Sequence, residues 1–270
     1  MIKFFRNIRK NLLTSGNTPK YIKYAIGEIV LVVIGILIAL QVNNWNEDRI
    51  ENRRLSNYAR SLIQDLKNDI EMLKVSLFQA KKGFYRIENL RNYMLSTPSD
   101  SLSNTDLFVY TYDIMYRPYK WNRSTFEELK SSGSIRYIRN DSLEKRLVAY
   151  ESFSYHLDED FKFDSSNYEK ANASIASIIN LNSPYFSEML VLENKNFNDP
   201  NLNLFETQEY INSKAKELKL ISSDEELLNI LTNKFILIQN QYRIRAFHEM
   251  PEILNDAENL IRLLKTEYNL

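Results

Sequence analysis

The alternation of apolar and polar positions changes character soon after the start of this chain. From Ile22 to Val42 the residues are apolar apart from Lys23, Glu28 and Gln41, with Tyr21, Tyr24 and Trp45 at the edges. A helix of about 21 residues, rising ~1.5 Å each, crosses the ~30 Å hydrocarbon layer of a bilayer. Amphipathic rings favour the two borders of such a layer. The pattern predicts one transmembrane helix over 21–43. Beyond it, apolar residues recur in steps of three and four: Leu55, Ala59, Leu62, Leu66, Ile70, Leu73, Leu77, Ala80, Phe84, Ile87 and Met94. That is one stripe of a helix. No glycine or proline separates Trp45 from the stripe, so the span is expected to continue as the same helix to about Leu95. Ser96-Thr97-Pro98 then stops it.

The remaining pattern is helical too. Thr105–Tyr116 predicts a short helix, although Phe108, Tyr110 and Tyr112 also alternate as a strand would. Ser124-Thr125-Phe126-Glu127 has the form of a capping box, and Gly133 is placed to end that helix in the left-handed conformation. Asp141-x-x-Glu144 opens a longer helix with the stripe Leu143, Leu147, Tyr150, Leu157, Phe161, Tyr168, Ala171, Ile175 and Ile178, closed by Asn182-Ser183-Pro184. Glu188–Pro200 is polar and asparagine-rich and reads as loop, and Leu204–Leu218 as a modest helix. Ser223-x-x-Glu226 precedes a last stripe running from Leu227 through Phe235, Tyr242, Ala246, Met250, Leu254 and Ile261 to Tyr268. Pro251 should kink this helix, because its ring clashes with the Phe247 carbonyl and it has no N–H. The expected fold class is all-α: a single N-terminal transmembrane helix continuing into an elongated extracytoplasmic antiparallel helical bundle. The expected domains are a short basic tail (1–20), the span (21–43) and the helical domain (44–270).

Charge sets the orientation. Lys3, Arg6, Arg9, Lys10, Lys20 and Lys23 precede the span with no acid among them, while Arg49, Arg53 and Arg54 follow it mixed with Glu47, Asp48 and Glu51. Clustered basic residues stay on the cytoplasmic side, so the tail is expected in the cytoplasm and residues 44–270 in the periplasm of a Gram-negative cell. In the tail, Phe4, Phe5, Ile8 and Leu12 share one helical face and Lys3, Arg6 and Lys10 another, a pattern that fits equally a helix lying on an anionic leaflet and a simple positive topogenic tail. The unbroken apolar run Ile29–Leu40 ends without a small-x-small pair, which favours an uncleaved anchor over a signal peptide. Within the span, Glu28, Val32, Gly35, Ala39 and Val42 share one face. Gly35-x-x-x-Ala39 is a small-residue pair of the kind that lets two helices approach closely. This face is expected to bind a second copy of the chain or a partner membrane protein. The lipid bilayer is the remaining expected partner.

Three segments resemble an uncharacterised family. They are MIKFFRNIRKNLL, YAIGEIVLVVIGILIALQVNNWNE, and TFEELKSSGSIRYI with the DSLEKRLVAYE that follows it. The family consists of single-pass inner-membrane proteins of Gram-negative bacteria, classed as a domain of unknown function. The resemblance is close over the first forty-eight residues and fair over Thr125–Tyr150. It implies location in the bacterial inner membrane and carries no catalytic residue.

Composition removes most chemistry. There is no cysteine, hence no disulfide, thiol nucleophile or thiolate metal site. No G-x-S-x-G elbow and no glycine-rich phosphate loop is present. Basic and acidic side chains balance at 35 each, which argues against nucleic acid. The histidines are His156 and His248. His156 and Asp160 share a helix face, but a carboxylate-bridged bundle needs Glu-x-x-His on two helices. Phe153 and Arg245 stand where those glutamates would be, so this face is read as solvated and no catalytic residue, cofactor or metal is assigned. The aromatic run Phe108–Trp121 is read as core. Two functions fit: a membrane-anchored interaction or scaffold protein of the envelope, and, as the alternative, an extracytoplasmic ligand-sensing module acting through a partner subunit.

Overall fold

The computed structural model describes residues 18–196 and 199–270, with side chains from Ile22 onward. The expected amphipathic tail lies outside the described residues. Every regular element among them is helical. The chain divides into two compact units, one ending at Asn57 and the other Tyr58–Leu270.

Helix α1 spans Thr18–Ser96 without interruption, as the unbroken pattern predicts. In the first unit its apolar side chains face outward: Ile29 is 63 % exposed, Leu37 58 % and Leu40 54 %. This is a helix of membrane-crossing length and apolarity. In the second unit the stripe Ala59, Leu62, Leu66, Ile70, Leu73, Ala80 and Ile87 is buried.

The remaining α-helices among the described residues are α2 (Asn104–Thr111), α3 (Ser124–Ser131), α4 (Asp141–Ile175), α5 (Pro184–Lys195), α6 (Gln208–Ala215), α7 (Glu225–Ile244) and α8 (Met250–Tyr268). A single π turn, Arg245–Glu249, joins α7 to α8. Helix α4 packs along both of them, and α5 packs on α6.

Several boundaries differ from the sequence expectation, each for a local reason. Helix α2 stops at Thr111 rather than Tyr116, because Tyr112 turns extended and Asp113 takes a positive φ of 47°. The helix after Arg123 forms without a side-chain cap, so the box at Ser124 and Glu127 is not made. Capping at the next two sites shifts by one residue. The Asn140 side chain accepts from the N–H groups of Ser142 and Leu143, and that of Asp224 from Leu227. The polar segment Glu188–Pro200 is helical up to Lys195 as part of α5. Its N-terminus holds Pro184, and its inner face is Phe186, Met189 and the buried Glu193. The ring of Pro251 is accommodated by the π turn, in which the Met250 N–H bonds back to the Arg245 carbonyl. The last stripe consequently buries Ile253 and Leu260 in place of Leu254 and Ile261.

The segment 112–123 has no regular structure, yet Ile114, Tyr116 and Tyr119 in it are buried. Buried backbone needs partners, and side chains provide them. The Gln79 Oε1 accepts from the Arg117 N–H at 2.8 Å, and the Asp69 Oδ1 from the Asn122 N–H at 2.9 Å. Arg86 Nη1 and the Tyr242 hydroxyl donate to the carbonyls of Tyr112 and Ile114. These polar residues on the helices fix the connector and with it Tyr116 and Tyr119.

Candidate functional site

The connector, α4 and the π turn meet around one guanidinium. Helix α4 presents His156, Asp160 and Asp164 at successive i, i+4 positions, on one face. The π turn presents Arg245 and Glu249. Arg245 Nε lies 3.1 Å from Asp164 Oδ2, its Nη2 lies 3.0 Å from Asp160 Oδ1, and its Nη1 bonds Glu249 Oε2. Tyr116 donates its hydroxyl to Asp164 Oδ2 at 2.7 Å. Asp164 is fully buried and Arg245 nearly so.

Burial raises the Asp164 carboxyl above the ordinary carboxylate range, although Arg245 and the Tyr116 hydroxyl oppose it. Asp160 is raised for the same reason, with Arg245 again opposing. Burial also disfavours charge on Arg245, but the attraction of Asp164, Glu249 and Asp160 outweighs it and holds the guanidinium charged. The cluster combines three carboxylates with one cation at its centre, backed by the edge-to-face rings of Tyr116, Phe161 and Tyr242. Two carboxylate oxygens in it lack a hydrogen-bond partner, Asp164 Oδ1 and Asp160 Oδ2.

His156 and Asp160 do share a face, as their spacing requires, and the π turn adds Glu249: His156, Asp160 and Glu249 bring three donor atoms within 4.8 Å of one another. In the sequence Arg245 stands out only as the residue that breaks a metal motif. Asp164 is visible in retrospect, since it falls on the helical stripe between Leu157 and Ala171. The aromatic run belongs to the core where it is richest: Phe108 and Tyr116 are buried, and Phe108 stacks on Phe186 with ring centroids 3.8 Å apart.

The expected association face, Glu28, Val32, Gly35 and Ala39, lies on the first unit of α1. Val32 is 58 % exposed, and a Cβ added at Gly35 would meet nothing within 4 Å. These residues are remote in sequence from the Arg245 cluster.

A model of a family of unknown function, DUF6090, matches residues 28–204. The chain belongs to DUF6090. No curated protein and no solved structure matches it. The DUF6090 match begins inside the apolar span at Glu28 and takes in His156, Asp160 and Asp164; Arg245 and Glu249 lie beyond its end. Membership of DUF6090 agrees with the sequence resemblance to an uncharacterised family and brings no assigned chemistry.

Proposed function

We propose that this chain is a membrane-anchored interaction or scaffold protein of the Gram-negative cell envelope, with its N-terminus in the cytoplasm and residues 44–270 in the periplasm. One observation carries the reading. An apolar helix whose side chains are exposed on every side, a surface that lipid tolerates and water does not, runs without a break into a packed helical unit. The face formed by Glu28, Val32, Gly35 and Ala39 serves in this reading to pair the span with its own copy or with a partner helix.

The experiment is affinity capture of the tagged full chain from native membranes after mild cross-linking, compared with a version cut after Asn57. The account expects envelope proteins held by the full chain and lost from the shortened one. Recovery of the same proteins by the anchor alone would overturn a docking role for the bundle.

A second reading, sensing through a partner subunit, is favoured by the acid-rich cluster around Arg245. Charged groups of unequal number inside a helical bundle are the kind of feature that a ligand can bias.

A further inference from the structure

The carboxylates around Arg245 divide their oxygens between two sides. Asp160 Oδ1 and Glu249 Oε2 face the guanidinium. The other oxygen of each turns towards His156, whose Nε2 lies 3.2 Å from Asp160 Oδ2 and 3.5 Å from Glu249 Oε1. Asp160 Oδ2 is buried and has no hydrogen-bond partner, so the 3.2 Å approach is not a hydrogen bond. These separations have another natural explanation. Around a zinc-like ion with bonds of about 2.0 Å at tetrahedral angles, neighbouring ligand atoms stand about 3.3 Å apart.

Two further observations point the same way. Among the described residues Arg245 is the cation paired with Asp160, Asp164 and Glu249 together. With all three ionised and His156 neutral, as a metal ligand must be, the cluster carries an excess of two negative charges. One dication balances that excess, and buried charge without a counter-charge is costly. In addition Tyr119, only 9 % exposed, has Arg245, Asp164 and Glu249 as its charged neighbours.

We propose that His156 Nε2, Asp160 Oδ2 and Glu249 Oε1 form a binding site for a divalent transition-metal ion, with Arg245 orienting both carboxylates from behind. One imidazole with two carboxylates suits Zn²⁺, Co²⁺ or Mn²⁺ better than Mg²⁺ or Ca²⁺, which prefer oxygen alone. His156 is more than half exposed, so the ion would be reached from solvent and keep a position open to water. The outer contact of Arg245 plays the part that hydrogen-bonded partners of ligating carboxylates play elsewhere. The inference is independent of the anchoring and docking reading, and the capture experiment does not bear on it.

The test uses the full chain in detergent, stripped with a chelator. Zn²⁺ binding is followed by calorimetry and Co²⁺ binding by its visible absorption. The expected result is one saturable site per chain that His156→Ala and Glu249→Gln each weaken by at least about tenfold, while His248→Ala, which alters the other histidine, binds as the parent does. Circular dichroism on each variant separates loss of the site from loss of the fold. Because His156 is largely exposed, its replacement should leave the helical spectrum unchanged. Absence of a saturable site in the parent, or equal affinity in the parent and a folded His156→Ala, would overturn the proposal.

Discussion

Gly83 shows how tightly single positions are set in the second unit. A Cβ added there would lie 2.5 and 2.8 Å from ring atoms of Tyr242 and 3.0 Å from the Ile114 carbonyl. Tyr242 is fully buried and cannot swing aside. Gly83→Ala is therefore expected to lower stability by about 1–3 kcal/mol through overpacking, against the ~1 kcal/mol that alanine normally contributes in a helix. A raised melting temperature would contradict this. Gly133 is the opposite case. Its surroundings are open, but its φ is +71°, so the sequence inference of a left-handed terminator holds through backbone conformation alone. Asp69 offers a test by pH. Burial raises its carboxyl above the usual 3.8, with the Asn122 and Tyr150 hydrogen bonds opposing. A raised acid stabilises the fold below its unfolded pKa and loses that contribution as pH rises through the folded value. The melting temperature of the parent relative to Asp69→Asn should accordingly be highest near pH 4 and decline towards pH 7; a rise would contradict the assignment. That Asp69, Asp164 and Arg245 are buried among polar partners was not legible beforehand, because a charged residue in a helical stretch looks the same in sequence whether it is paired inside or solvated outside; the stripe position of Asp164 gains meaning only in retrospect.

At the scale of elements, α1 and α4 were legible because long periodic stripes and scarce breakers leave few alternatives. Helix α5 was hidden for a specific reason: its inner face includes Glu193, which is buried on Lys82 and Arg86 of α1 at 3.1 and 2.5 Å, so the apolar period appears broken. The π turn was half legible. Pro251 announces a disturbance in the last helix, but not that it takes the form of one wide turn that carries Arg245 and Glu249 to the same face. In the span, the association face yields its own prediction. A transmembrane-association reporter carrying residues 21–43 should lose signal on Gly35→Ile, because the bulky side chain blocks close approach. Gly27→Ile, on a different face, should matter less. Equal signals from the parent and Gly35→Ile would remove self-pairing.

For the whole molecule, the central claim is a single crossing with the bundle outside, and it rests on Lys and Arg clustered before the span and mixed with acids after it. Length and apolarity make α1 able to cross a bilayer; orientation is a matter of charge alone. Single cysteines test it directly, since the chain has none of its own. Ser15→Cys and Ser99→Cys are placed on either side of the span and exposed on intact spheroplasts to a membrane-impermeant maleimide. The account predicts labelling at position 99 and protection at position 15 until the membrane is opened. Labelling at 15 with protection at 99 would contradict it.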